Sequence, residues 1–264
     1  MSAGLDKAEI SRSFSAAAPR YDGWATAQDA IADGLVRRLP AALSPATVVE
    51  LGCGTGLLSR RLLARFPAAT LLGLDLASGM IETCRGRFAG ERRAHFEVAD
   101  AEDPRACAAP VDLVVTSCSA QWFTDPAATF RRWAGALAPG GLVAAALLVR
   151  GSYPELDAAN LLASGAPFPG LPLPTAEAAA VLLTGAGLAL VRADVDVVAV
   201  PYRTAREALG SFRGLGAVLC GQPGRAGLGA GRTRRLLAAY EALSGPDGAR
   251  VTHLVLHAIA RRPQ

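Results

Sequence analysis

Residues 48 to 56 read Val-Val-Glu-Leu-Gly-Cys-Gly-Thr-Gly, a short apolar run entering a turn with glycines at 52, 54 and 56. No other stretch limits the fold of this chain so sharply. Two β-branched residues and a leucine before such a turn read as a buried parallel strand. The run Leu57 to Leu63 that follows at once has helical character. Thr70 to Leu74 is a second apolar strand and ends at Asp75. Together these make half of a nucleotide-cofactor fold. Glycines let the backbone approach a ligand closely, and an acid at the second strand end can accept from both hydroxyls of a ribose.

Glycine spacing then separates the cofactor classes. The dinucleotide fingerprint is G-x-G-x-x-G, whereas Leu57 makes the pattern here G-x-G-x-G. Glu50 also stands just before the turn, where an anion repels a pyrophosphate and suits an amino group. S-adenosylmethionine has no phosphates and carries a cationic methionine end, so these features favour it over NAD.

Composition bounds the rest. A chain of 264 residues, 51% hydrophobic and 19% charged, holds one α/β domain of about 200 residues and a modest addition. The net charge of +4 is a mild excess, which speaks to solubility and gives no sign of a nucleic-acid partner. Lys7 is the only lysine. Cys53, Cys84, Cys107, Cys118 and Cys220 contain no C-x-x-C pair and are odd in number, as expected of free thiols in a reduced, cytoplasmic compartment. Asp6, Lys7 and Glu9 fall where a signal peptide needs its apolar core. The apolar run from 142 to 149 is too short for a membrane span. His253 and His257 are four apart in a stretch that reads as strand, with no third ligand nearby, so no metal is expected.

The order of elements predicts a single domain over 1–264. Residues 1–40 form an N-terminal helical lid, interrupted by a turn at 18–23. Residues 46–200 and 249–262 form the cofactor-binding core, and 201–248 a helical insertion for substrate or carrier. Helices are expected near 78–88, 126–137 and 175–184, and strands near 94–98, 111–116, 142–149, 188–200 and 251–260. The proline-rich stretch 165–174 reads as a loop. The fold class is α/β: a doubly wound, Rossmann-like, seven-stranded sheet with its last strand antiparallel.

In such sheets ligands lie outside the carboxyl ends of the strands. The expected cofactor-binding set is Glu50, Gly52, Gly54 and Gly56 after the first strand, Asp75 on the ribose, Asp100 with Ala101 after the third, and Ser117 after the fourth. Asp100 either accepts from the adenine amine or is an ordinary loop acid. Leu76 and Met80 serve either as apolar walls for adenine or as core. Trp122 walls a substrate cavity or packs a helix, and Tyr21 reaches the cofactor from the lid or only packs.

Further segments narrow the reading. They are the opening Ile10 to Asp22, the pair Gln121-Trp122, Gly151 to Leu156, Ala208 to Ala217 and Val251 to Leu256. With them, nearly the whole chain resembles the malonyl-acyl-carrier-protein O-methyltransferases of biotin synthesis, within the class I S-adenosylmethionine-dependent methyltransferases. The resemblance implies methyl transfer to the free carboxylate of a malonyl thioester, either malonyl-acyl carrier protein or malonyl-CoA. The ester then primes pimeloyl synthesis. A carboxylate is already a nucleophile at neutral pH and needs no general base. On this resemblance Tyr21 orients the carboxylate or the cofactor, Gln121 and Trp122 wall the cavity, and Arg150 or Arg213 holds the malonyl group. Arg203, Arg206, Arg213, Arg232, Arg234 and Arg235 form a basic rim for an acidic carrier. The alternative is a methyltransferase for another small carboxylate, oxygen or carbon acceptor.

Overall fold

The computed structural model describes residues 5–103, 110–217, 229–246 and 248–264. Among them, β1 (Thr47–Leu51), β2 (Thr70–Asp75), β3 (Ala94–Val98), β4 (Val111–Ser117), β5 (Leu137–Leu148), β6 (Ala189–Tyr202) and β7 (Ala249–Arg261) form one sheet. Its order is β3-β2-β1-β4-β5-β7-β6. The first five strands pair in parallel, and β7 lies antiparallel between β5 and β6. This is the expected doubly wound, Rossmann-like architecture with an antiparallel last strand. The order reverses between β1 and β4, which opens a crevice at their carboxyl ends.

Helices cover both faces. They are α1 (Lys7–Ala17), α2 (Thr26–Arg38), α3 (Leu57–Arg65), α4 (Ser78–Arg87), α5 (Pro126–Ala136), α6 (Pro154–Ser164), α7 (Ala176–Thr184), α8 (Ala205–Gly214) and α9 (Ala230–Leu243). Strand β5 shows why its sequence is apolar without alternation. Leu142, Ala144 and Ala146 pack with α2 and α3 on one face, and Val143, Ala145 and Leu147 pack with α5 and α7 on the other. A strand buried on both faces needs no polar period. Helix α2 belongs to this core as well, since Ile31 and Leu35 are fully buried in it.

Three sequence expectations change. Residues 18–23 are a 3₁₀ helix rather than a plain turn, with Pro19 in its first turn. Pro139-Gly140-Gly141 lies inside β5, because pairing with β4 already begins at Leu137 across a register irregularity. Helix α6 was not expected at all. Its buried residues Leu156 and Ala159 pack with α8 and α9, so its apolar face is defined by helices that begin only at Ala205 and Ala230. Among the described residues the insertion carries α8 and α9, whose Ala205, Ala208, Leu236 and Tyr240 share a third cluster with α6. Cys107 and Cys220 lie outside the described residues. No helix among the described residues is long and apolar enough to cross a membrane.

Candidate functional site

The glycine turn joins β1 to α3. Gly52, Gly54 and Gly56 adopt φ of 69°, 55° and 85°, the left-handed region that favours glycine. Gly52 and Cys53 both donate their N–H groups to the Leu74 carbonyl of β2, at 2.8 and 2.9 Å. The turn is thereby fastened to the neighbouring strand. A Cβ on Gly54 would meet nothing within 4 Å, so this glycine presents bare backbone to the crevice.

Asp75 ends β2 and completes the turn. Its Oδ2 accepts from the Gly54 N–H at 2.8 Å and its Oδ1 from the Ala77 N–H at 2.9 Å. Burial pushes this carboxyl upward, against the two backbone donors that favour its charged form. Each oxygen keeps a further lone pair, and Asp75 lines the crevice together with Gly52, Gly54, Leu76, Met80, Asp100, Ala101 and Ser117.

Glu50 and Gly56, expected in the same set, do not line it. Glu50 is 2% exposed and accepts from the Ser59 hydroxyl of α3, behind the turn. Burial pushes its carboxyl up to about 8, although the Ser59 hydrogen bond opposes this. From behind the turn it braces β1 against α3. Gly56 is a packing position, because a Cβ there would sit 2.6 Å from the Phe88 ring.

Helix α1 closes the crevice from outside. Lys7 pairs with both Asp100 and Glu102 at the end of β3. The Ser11 hydroxyl donates to the Leu76 carbonyl at 2.9 Å, and the Gly79 N–H donates to the Ser15 hydroxyl at 3.3 Å. Burial raises the Glu102 carboxyl, but Lys7 and the N–H groups of Thr124 and Asp125 hold it down to about 2. Asp100 is thus both a crevice residue and an ion-pair partner. Nothing in the sequence placed Lys7 beside it, because the two are 93 positions apart.

A second, larger cavity of about 690 Å³ adjoins the crevice. Phe14, Tyr21, Cys118 and Trp122 line both spaces and form the aperture between them. Gln121, Arg150 and Arg213 line the larger chamber. Trp122 meets Phe14 edge-on, with ring centroids 5.3 Å apart. Burial pushes the Tyr21 hydroxyl well above its ordinary value, reinforced by Cys118 and Asp75 nearby. It therefore stays a donor. Arg150 and Arg213 are exposed at the chamber's rim. Of the other expected basic residues, Arg203, Arg206, Arg234 and Arg235 are exposed, and Arg232 is half-buried.

Two site residues were not foreseen. Cys118 and Tyr153 are the non-glycine residues with positive φ among the described residues, at 52° and 66°. Both line the chamber. Such strain persists only where surrounding structure enforces it, and it concentrates at ligand sites. Tyr153 donates its N–H to Thr252 at 2.7 Å and packs edge-on against Phe212 and His253. Burial pushes the Cys118 thiol up to about 12, so it is a neutral wall and not a nucleophile. Among the described residues, no three His, Cys, Asp or Glu side chains cluster as metal ligands.

Comparison with known proteins agrees with this geometry. Residues 48–141 match the family described as a methyltransferase domain. A malonyl-[acyl-carrier protein] O-methyltransferase of Hahella chejuensis is 36% identical over 155 residues, 59% of this chain and 55% of the relative. The biotin biosynthesis bifunctional protein BioCD of Bordetella avium is 31% identical over 263 residues, 98% of this chain and 54% of the relative. The matches thus span about half the length of these curated relatives. Among solved structures, a chain of the complex between the Haloferax volcanii Trm112 methyltransferase activator and a methyltransferase superposes with a TM-score of 0.62 at 18% identity, covering 97% of this chain and 98% of that one. A Haemonchus contortus phosphoethanolamine N-methyltransferase solved with S-adenosylhomocysteine gives a TM-score of 0.53 at 18% identity, over 88% of this chain and 52% of that one. By its domain match and its relatives the chain is similar to methyltransferases, and its sheet is ordered as in a Rossmann-like fold.

Proposed function

We propose that this protein transfers a methyl group from S-adenosylmethionine to the free carboxylate of a malonyl thioester, giving the methyl ester that primes pimeloyl synthesis for biotin. The observation that carries this reading is the aperture. A crevice with bare glycine backbone and a free-edged carboxylate meets a large apolar chamber there, and the shared residues Phe14, Tyr21, Cys118 and Trp122 include no group suited to be a general base. The names of the curated relatives support the same substrate.

The residues present fit the cofactor. Asp75 retains lone pairs for the ribose hydroxyls, Gly52 and Gly54 leave room for the methionine end, and Leu76 and Met80 offer apolar walls beside Asp100. Bound there, the cofactor supplies an electrophilic methyl group on a sulfonium. The protein's own part is positioning. A malonyl carboxylate is ionised at neutral pH and attacks unaided. Tyr21 donates to it or orients it, and the aromatic aperture excludes water while opposite charges neutralise. In-line placement supplies up to about 7–11 kcal/mol. Arg150 or Arg213 steadies the malonyl group at the rim, away from the reacting oxygen, where a firm ion pair would stabilise the ground state.

Methyl transfer to malonyl-acyl carrier protein, malonyl-CoA and free malonate, read by mass spectrometry, tests the proposal. Ester is expected with the thioesters and not with the free acid; no ester with either thioester overturns it. Rescue of a biotin-requiring strain lacking this step tests the pathway. Tyr21→Phe is expected to lower kcat about tenfold or more through loss of one donor, with the cofactor Kd nearly unchanged. Unaltered kcat in a folded variant removes Tyr21 from the site.

The carrier is the favoured thioester on charge. Arg203, Arg206, Arg213, Arg234 and Arg235 lie exposed on or beside α8 and α9, and such a rim steers an acidic partner. Charge reversal at Arg206, Arg234 and Arg235 is expected to raise KM for the carrier-bound substrate and flatten its salt dependence, leaving malonyl-CoA kinetics little changed. If the salt dependence is untouched, docking lies elsewhere.

A further inference from the structure

Tyr153 is a poor match for the backbone position it occupies. It is the N-cap of α6, where Ser, Thr, Asp or Asn is preferred because the side chain can accept from a backbone N–H. Tyr153 makes no such cap bond, and its φ of 66° and ψ of 39° are left-handed. That conformation favours glycine or asparagine and is a marked outlier for a bulky residue. Capping and conformation both argue against tyrosine here, so the reason for it lies in the side chain.

The ring packs edge-on against Phe212 and His253, with centroids 5.2 and 5.1 Å away. A phenylalanine would pack in the same way. The hydroxyl is what distinguishes tyrosine. It has no hydrogen-bond partner among the described residues, yet it is not one of the side-chain atoms sealed from solvent without a partner. A phenol neither bonded nor sealed opens on the space that its residue lines, which is the larger chamber. The same holds for the Tyr21 hydroxyl.

The two phenols are neighbours. Burial pushes both well above their ordinary value, Cys118 reinforces both, and Tyr153 reinforces Tyr21. Both therefore stay protonated donors beside Cys118, a residue of the aperture. Tyr21 lines crevice and chamber, whereas Tyr153 lines the chamber alone. One neutral donor thus comes from the N-terminal lid and the other from the chamber wall, further from the cofactor. Such a pair suits an anion with two oxygens, and it avoids the firm ion pair that would stabilise the ground state.

We propose that Tyr153 is a second substrate-positioning residue, its hydroxyl donating to the non-attacking oxygen of the acceptor carboxylate on the chamber side of Tyr21. The proposal rests on the carboxylate reading above and deepens it by giving the second oxygen a partner. A hydrogen bond to that oxygen forms on binding and gains nothing as the carboxylate loses its charge. Its removal therefore shows in KM and not in kcat, the reverse of the split expected for Tyr21.

Tyr153→Phe keeps the ring and removes the donor. At saturating S-adenosylmethionine it is expected to raise KM for malonyl-CoA about tenfold or more, as for one hydrogen bond to a charged group. The kcat, the Tm and the Kd for S-adenosylhomocysteine should change little. Tyr153→Leu, which also loses the ring, should raise KM to a similar degree. A packing role predicts otherwise: a neutral Phe variant and a damaged Leu variant. If the Leu variant does not fold, the Phe variant decides alone.

Trp24 and Trp122 line the chamber, so intrinsic fluorescence reads its occupancy without turnover. With S-adenosylhomocysteine present, the wild type is expected to bind malonyl-CoA about tenfold or more tighter than acetyl-CoA, which lacks the carboxylate. Tyr153→Phe should lose most of that preference. No preference in the wild type, or one that Tyr153→Phe leaves intact, overturns the proposal. A preference abolished by Tyr153→Phe, with no ester from any thioester, refutes the methyl-transfer reading and keeps the carboxylate site. Ester formed by Tyr153→Phe at the wild-type KM refutes the site and keeps the reading.

Discussion

Gly52→Ala is expected to weaken cofactor binding by about 100-fold or more, on steric strain of several kcal/mol at a ligand clamp. The backbone at Gly52 has φ of 69°, and an L-residue there costs about 1–2 kcal/mol before any contact is considered. The added Cβ would then lie 2.0 Å from the Ser119 Oγ and 2.6 Å from its Cβ. The hydroxyl can rotate away, but the Cβ of Ser119 is fixed by the backbone after β4. The turn itself must shift, and the shift breaks the paired donations from Gly52 and Cys53 to Leu74. Calorimetric titration with S-adenosylhomocysteine measures the loss, and Tm should fall with it. Gly54→Ala is the informative contrast. Its Cβ meets no atom of the protein, so affinity should suffer more than Tm. Wild-type affinity in Gly52→Ala would mean that the turn does not hold the ligand.

Asp75→Ala should cost about 100-fold or more in cofactor affinity, because hydrogen bonds to a charged group contribute about 1.5–3 kcal/mol each. The substitution removes the ribose acceptor and leaves the N–H groups of Gly54 and Ala77 without their partner. Asp75→Asn keeps one acceptor but turns an amide N–H₂ toward a backbone donor, so it should fall between Ala and wild type. A cofactor analogue lacking one ribose hydroxyl separates the direct contact from the turn's collapse. It should bind worse than the parent compound in the wild type and equally well in Asp75→Ala. An equal penalty in both proteins would show that Asp75 acts on the turn alone.

Much of the cofactor side was legible in the residue order, for a physical reason. Backbone contacts depend on local conformation, and glycines at 52 and 54 with an acid closing the next strand declare that conformation directly. The parallel core was readable because strands buried on both faces carry unbroken apolar runs, as β5 does. Glu50 was misread because the sequence places it near the turn without saying on which side. Its side chain points into the packing between β1 and α3, where the Ser59 hydroxyl donates to it, and burial pushes its carboxyl upward.

The substrate side was far less legible. Lys7 reaches Asp100 and Glu102 across the whole cofactor half, and no local pattern encodes such a pairing. Helix α6 is helical because the insertion offers it a face to pack on. Cys118 and Tyr153 hold positive φ because neighbouring strands and helices enforce it, whereas their own side chains argue against it.

Residue order alone thus dictates the glycine turn, the acid at the end of β2 and a parallel sheet ending in an antiparallel strand, since each follows from propensities and periods a few residues long. The aperture at Phe14, Tyr21, Cys118 and Trp122 and the burial of Glu50 arise only on folding. They depend on burial and on meetings between distant segments, and both are properties of packing in three dimensions.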